Sequence, residues 1–320
     1  MQPIKAMNVS EAGGRHLLRR LLSLPLRAVS IATGITIQVL ILTKSIIDYL
    51  KLRYIDFRPR PDDIFIATYP RSGTTWMQMI LYQMTSEGEM NFQHISEVCP
   101  WFERSIVTGR DLELLPSPRV FKTHLRPYLL PRQPVRHLYV ARNGEDVAVS
   151  LYHFYRSHFG YKGTFPEFFE MFLRGKVEGG SWFIHVGEWW KRRNAPNVLF
   201  LTYEDLVRDL EGSIRRIGAF CGIEIPPERM PRILERSAFA FMKKHEAQFD
   251  HTNEVLWEQG VEPSSFLRKG QAGEGLKQLS PDQQQRFHAI AARKLASIPP
   301  SVPIGRTSAS ASSAKSSPAT

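Results

Sequence analysis

The chain has 320 residues, is 42% apolar and 23% charged, and carries a formal charge of +11. These proportions exclude an intrinsically disordered chain and suit one large α/β domain or two small ones. Its two cysteines, Cys99 and Cys221, stand far apart and in no metal-ligand spacing, which argues against a disulfide framework or zinc site and suits a reducing compartment. The positive charge fits a protein that binds a polyanion, but part of it lies in the N-terminal segment and says little about the core.

Residues 1–60 form a basic and apolar segment. Leu17, Leu18, Leu21 and Leu22 alternate with Arg15, Arg19 and Arg20, and Pro25 ends the pattern. Residues 28–43 are uncharged and largely apolar, and no acid occurs between Glu11 and Asp48. The pattern is compatible with a helix packed on the domain, with membrane contact through residues 15–50, with a short anchor, or with a targeting peptide. The uncharged run is shorter than the ~20 residues of a comfortable span.

The globular core is expected over residues 61–298. Ile64 to Thr68 is a short apolar run rich in β-formers and predicts a buried strand. Pro70 and Gly73 break it, and Met77, Ile80, Leu81 and Met84 then recur at the spacing of one helix face. The loop between strand and helix carries Arg71, Gly73 and the hydroxyls of Ser72, Thr74 and Thr75, where helix N–H groups are unpaired. That composition is an anion cradle. It is not the G-x-x-x-x-G-K-[ST] loop, because the first glycine is missing and the basic residue precedes Gly73.

Further along, Ser96–Glu103 is turn-rich with two aromatics, Trp101 and Phe102. Val120–His124 reads as a strand end on which Lys122 and His124 share one face. The lysine disfavours a second positive charge, so the imidazole tends to stay neutral and able to accept a proton. Val135 to Ala141 is the next strand, closed by Arg142-Asn143-Gly144. The helix that follows has Glu145 and Asp146 in its first turn, a stripe of Val147, Leu151 and Phe154, and Ser150 one to two turns in. Helices are predicted over 165–173 and 181–193, the second burying Trp182, Val186, Trp189 and Trp190 in the core.

Val198–Thr202 predicts another strand. Tyr203 stands at its carboxyl end, and one long helix carries Leu206, Leu210, Ile214, Ile217 and Phe220 to a stop at Gly222. Residues 246–265 form a long irregular segment of the kind used as a lid or binding loop. Phe266–Gly273, with Arg268, Lys269 and Gly270, is a second anion cradle. A terminal helix spans 281–296, and the Ser/Ala/Pro-rich residues 299–320 are expected to be disordered.

Tyr-Pro-Arg-Ser-Gly-Thr-Thr-Trp at 69–76 resembles the 5′-phosphosulfate loop of the cytosolic sulfotransferase family, usually T-Y-P-K-S-G-T-T-W. Lys122-Thr123-His124, the R-N-x-x-D-x-x-x-S spacing from Arg142 to Ser150, Tyr203 and the R-K-G-x-x-G run from Arg268 to Gly273 are similar to the family's other elements, in the same order. The resemblance covers about residues 61–296. It implies a single α/β domain with a central parallel sheet flanked by helices, and a P-loop-like phosphosulfate-binding loop.

The same resemblance implies a cytoplasmic enzyme with 3′-phosphoadenosine 5′-phosphosulfate (PAPS) as sulfuryl donor and no metal. The acceptor it implies is a hydroxyl or amine of a small molecule (a phenol, a steroid or another alcohol), with no nucleic-acid partner. His124 becomes the base and Lys122 and Arg71 its catalytic partners. Arg71, Ser72, Gly73, Thr74 and Thr75 hold the 5′-phosphate. Arg142, Ser150, Arg268, Lys269 and Gly270 hold the 3′-phosphate, and Trp76, Tyr203, Ser237 and Phe239 contact the adenine.

Three departures stand out: Arg71 replaces the loop lysine, Glu274-Gly275-Leu276-Lys277 replaces Asp-Trp-Lys, and the family's dimer motif is not recognisable, which leaves the oligomeric state open. A nucleotide kinase would need a Gly-Lys-Ser/Thr and magnesium-binding acids, and neither is in place. A basic scaffold would not need Lys122, His124 and two separate cradles. Phe92, Trp101, Tyr152, Phe159 and Phe249 are candidates to line an apolar acceptor pocket.

Overall fold

Four short strands form one parallel sheet: β1 (Ile64–Thr68), β2 (Val120–Thr123), β3 (Arg136–Ala141) and β4 (Val198–Thr202), in the spatial order β2-β1-β3-β4. The computed structural model describes residues 57–131, 135–250, 267–268, 270, 272–299 and 302, all within a compact unit that begins at Phe57. The expected N-terminal segment at 15–50, most of the 246–265 loop, Lys269 and most of the 299–320 tail lie outside the described residues.

Every residue of β1 is buried, as the centre of a sheet covered on both faces requires. Side chains alternate along the strands, so each face has its own composition. Ile64, Ile66, Leu138 and Val140 enter an aliphatic core with Met77, Ile80 and Leu81. On the other face Phe65 packs with Phe57, Phe102 and Phe121 at centroid distances of 5.0–6.2 Å, and Tyr139 stacks on Trp189 at 5.0 Å. Under that aromatic layer, Arg119 grips Asp63 through Nε and Nη2, both at 2.7 Å, with neither side chain exposed.

The parallel register aligns the strand ends. Ala67 pairs with Thr123 and Tyr139, and Ala141 pairs with Thr202. The segments that leave the carboxyl ends therefore share one edge of the sheet, the edge at which open α/β sheets bind ligands. They carry Arg71, His124, Arg142 and Tyr203.

The helices follow from local signals. α1 (Thr74–Thr85) leaves the β1 loop with Met77, Ile80, Leu81 and Met84 buried. α2 is Phe102–Thr108. α3 (Gly144–His158) starts where the Asn143 side chain accepts the N–H groups of Glu145 and Asp146 at 2.9 and 3.2 Å. α4 (Phe165–Leu173) opens on a Thr164/Glu167 capping box, and α5 (Trp182–Lys191) buries its tryptophans as expected.

The single long helix expected after β4 is two: α6 (Tyr203–Arg208) and α7 (Leu210–Cys221). Asp209 leaves helical geometry at φ −145°, and its carboxylate caps Gly212 N–H at 2.8 Å. A short acid that offers the backbone its own acceptor wins over helical continuity there. α7 ends at Gly222 in the left-handed region, φ 65°, as the sequence requires. α8 (Met230–Ser237), α9 (Phe239–Lys244), α10 (Gly275–Gln278) and α11 (Pro281–Lys294) complete the described elements. Among the described residues no helix is long and apolar enough to cross a membrane.

Candidate active site

A cavity of about 420 Å³ opens at the carboxyl edge of the sheet. It is walled by Arg71, Gly73, Thr74, Thr75 and Trp76 from the β1 loop, by Lys122 and His124 after β2, and by Arg142 and Ser150 after β3. Tyr203, Phe239, Arg268 and Gly270 complete that wall. Segments spread over 200 positions of sequence thus converge as expected. Ser72 and Ser237 do not line it, since both are buried behind the wall. Lys269 lies outside the described residues.

The β1 loop is shaped for a ligand. Arg71 adopts φ 68° and Gly73 φ 95°, and a Cβ on Gly73 would stand 2.9 Å from the Tyr203 ring. Only glycine lets the backbone pass that close in that conformation. Among the described residues no side chain caps the N-terminus of α1, which leaves its first N–H groups without a side-chain cap. The Ser72 hydroxyl is buried with no hydrogen-bond partner among the described residues. An uncapped helix start on the cavity wall fits a phosphate-like anion.

Arg71 connects this loop to the second cradle. Its Nε lies 3.3 Å from Ser150 Oγ, and its guanidinium sits 4.9 Å over the Phe154 ring. Arg142 donates to the Arg71 carbonyl at 3.0 Å and stacks over Tyr203 at 4.4 Å. Burial, and then Arg142, pull the Arg71 guanidinium down to about 10, so it stays cationic at neutral pH.

His124 is held on three sides. Its Nδ1 lies 2.9 Å from the Thr68 carbonyl, its N–H donates to Glu103 at 2.8 Å, and its carbonyl accepts from His185 Nε2 at 3.1 Å. A carbonyl only accepts, so Nδ1 carries the proton and Nε2 keeps the lone pair. Burial and then Lys122 push the imidazole down to about 4, which leaves it neutral at physiological pH. The Lys122 ammonium lies 4.7 Å over Trp101 and is lowered to about 8 by burial, with Glu103 opposing the shift.

The described part of the second cradle is anchored to α3. Asp146 accepts the N–H groups of Gly273 and Gly275 at 2.7 and 2.6 Å. Gly270 runs so close to Phe239 that a Cβ would clash at 2.4 Å. Trp76 donates to the Ser237 carbonyl at 2.8 Å and meets Tyr203 edge-on at 5.4 Å. Trp76, Tyr203 and Phe239 bring three aromatic side chains to the same cavity.

A sulfotransferase-domain family model matches residues 61–299. The chain belongs to the sulfotransferase family. It is 36% identical over 253 residues to human sulfotransferase 1C2, spanning 75% of this chain and 85% of that protein. It is 38% identical over 256 residues to bovine sulfotransferase 1A1, with the same coverage. Among solved structures, retinol dehydratase in complex with androsterone and the inactive cofactor PAP is similar at TM-score 0.66 and 28% identity, over 78% of this chain and 85% of the other. Mouse sulfotransferase SULT7A1 complexed with PAP gives 0.60 and 31%, over 77% and 88%.

Other residues of this sulfotransferase reach the cavity as well. Arg104, Glu178 and Asp250 line it without having been singled out, Glu274 lines it from the stretch that departs from the family's Asp-Trp-Lys, and Glu103, at the end of the turn-rich Ser96–Glu103 stretch, supports it from behind. Asp250 pairs with the buried His158 at 3.3 Å, a contact across 92 positions that no local pattern reveals. Of the aromatics proposed for an acceptor pocket, Trp101, Phe159 and Phe249 line the cavity, whereas Phe92 and Tyr152 are buried in the core.

Proposed function

We propose that this sulfotransferase moves a sulfuryl group from PAPS to the hydroxyl of a small, largely apolar acceptor, with His124 as general base. The observation that carries the reading is a neutral imidazole with a defined acceptor nitrogen, Nε2, in one cavity with two anion cradles. The PAP bound in the retinol dehydratase and mouse sulfotransferase structures supports the donor. The open start of α1 and the close backbone passage at Gly73 fit its 5′-phosphate. When bound, the donor supplies an electrophilic sulfur and a phosphate leaving group.

The chain's own residues do the rest. Arg71, Thr74, Thr75 and the open N–H groups of α1 hold the 5′ end, and Arg142, Ser150 and Arg268 hold the 3′-phosphate. Transfer of such a group passes through a loose, in-line transition state by analogy with phosphoryl transfer, so positioning and charge stabilisation dominate. His124 Nε2 takes the acceptor proton, and Lys122, cationic below about pH 8, stabilises charge growing on the bridging oxygen. Trp101, Phe159 and Phe249 give the acceptor side apolar walls.

The test is a panel of phenols, steroids, aliphatic alcohols and amines with labelled PAPS. Apolar alcohols and phenols should be sulfated, and His124→Ala should remove most transfer to weakly acidic alcohols while nucleotide binding persists. Transfer at the wild-type rate by His124→Ala would overturn the mechanism.

A further inference from the structure

We propose that Glu274 is a built-in rival of the donor's 3′-phosphate: its carboxylate takes the edge of Arg268 that the nucleotide needs, and so weakens the hold on donor and 3′-phosphorylated product. The inference rests on the donor reading above.

Arg268 and Glu274 form an ion pair inside the cavity, in which Arg268 Nη1 donates to a Glu274 carboxylate oxygen at 3.2 Å. A carboxylate on the guanidinium takes a donor that a phosphate would use. Both side chains line the cavity and are only 25% and 14% exposed, so the attraction is partly shielded from water. A phosphate arriving at Arg142, Ser150 and Arg268 must displace this carboxylate or face a like charge beside it.

Glu274 is also held in place. The Gly273 and Gly275 N–H groups on either side of it are bound to the two oxygens of Asp146 at the start of α3. Gly275 lies so close to Glu145 that a Cβ would stand 2.5 Å from the Glu145 side chain. The backbone bearing the carboxylate is therefore fixed to the helix that presents Ser150, rather than free to swing clear. A displaceable anion of this kind lowers affinity for ligands that carry a 3′-phosphate and leaves others untouched. Release of a tightly held product limits many enzymes, so such a contact favours turnover over retention.

The experiment is calorimetric titration of the full chain with adenosine 3′,5′-bisphosphate and with adenosine 5′-phosphate. Wild type, Glu274→Gln, Arg268→Ala and the double variant are compared. Removing the rival charge should tighten the bisphosphate roughly tenfold in Glu274→Gln and leave the monophosphate within about twofold. The gain should vanish in the Arg268→Ala background. Unchanged or weaker bisphosphate binding by Glu274→Gln, or an equal gain for both nucleotides, overturns the inference. The donor reading is judged on wild type alone: if it binds the two nucleotides equally, that reading fails and this one with it. Should Glu274→Gln not unfold cooperatively, Glu274→Ser provides the same comparison.

Discussion

His124 Nδ1 lies 2.9 Å from the carbonyl oxygen of Thr68, the last residue of β1. The strand that launches the Tyr69–Thr75 loop thus also selects the tautomer of His124. Because the carbonyl can only accept, Nε2 keeps the lone pair, and histidine and loop are held in register by the sheet itself.

His124→Ala should lower transfer to a weakly acidic alcohol by ~10²–10⁴-fold, the usual cost of losing a general base. Affinity for adenosine 3′,5′-bisphosphate should hardly change, since His124 belongs to neither cradle. A nitrophenol, already partly ionised near neutral pH, should be affected less. Steady-state kinetics with both acceptors, alongside nucleotide titrations, make the comparison.

The pH profile of kcat/KM should be broad. The proposed base, His124, is depressed to about 4 and is needed neutral, so the acid limb should appear near pH 4 rather than at the 6.5 of an ordinary histidine. Lys122, proposed to act as a cation, is lowered to about 8, so activity should fall as pH rises through that value. Glu103 favours the charged form of Lys122. Glu103→Gln, which keeps an acceptor for the His124 N–H, should therefore shift the basic limb to lower pH. An unmoved limb would show that Lys122 does not set it.

Arg142→Ala should weaken adenosine 3′,5′-bisphosphate far more than adenosine 5′-phosphate. The side chain also supports the Arg71 carbonyl at 3.0 Å, so a smaller loss with the monophosphate is expected too. Equal losses for the two nucleotides would remove Arg142 from the 3′-phosphate site.

Gly73→Ala should cripple donor binding. A methyl group there would meet Tyr203 at 2.9 Å in a backbone held at φ 95°. Strain of this kind costs on the order of 1–3 kcal/mol wherever the loop cannot relax. Nucleotide titration should show the loss, and thermal unfolding should show how much of the strain reaches the fold.

Asp63→Ala should destabilise the fold without touching the cavity. It removes the buried carboxylate from Arg119 and leaves only the half-exposed Glu113, 2.9 Å from Nη1, so the loss should approach but not exceed the roughly 3–5 kcal/mol of a broken buried pair. Urea unfolding monitored by tryptophan fluorescence measures it.

Much of this protein was legible along the chain. Strand, loop and helix from Ile64 to Met84 follow from period and punctuation, because backbone geometry responds to neighbours within a few residues. Asp209 shows the limit of that reading: the apolar stripe from Leu206 to Phe220 runs through it unbroken, yet one side-chain oxygen capping Gly212 divides the helix. The sulfotransferase motifs named much of the cavity wall in advance, since each is a contiguous string of residues.

What the linear chain could not show is everything made by contact across the sheet edge. The tautomer of His124 depends on Thr68, 56 positions away. The backbone on either side of Glu274 is held by Asp146, 127 and 129 positions from Gly273 and Gly275. Asp250 reaches the cavity wall against His158 from the far side of the chain. Local sequence sets local conformation and residue chemistry. Charge, tautomer and partner are set by burial and by what a distant segment brings near, and those exist only once the four strands are aligned.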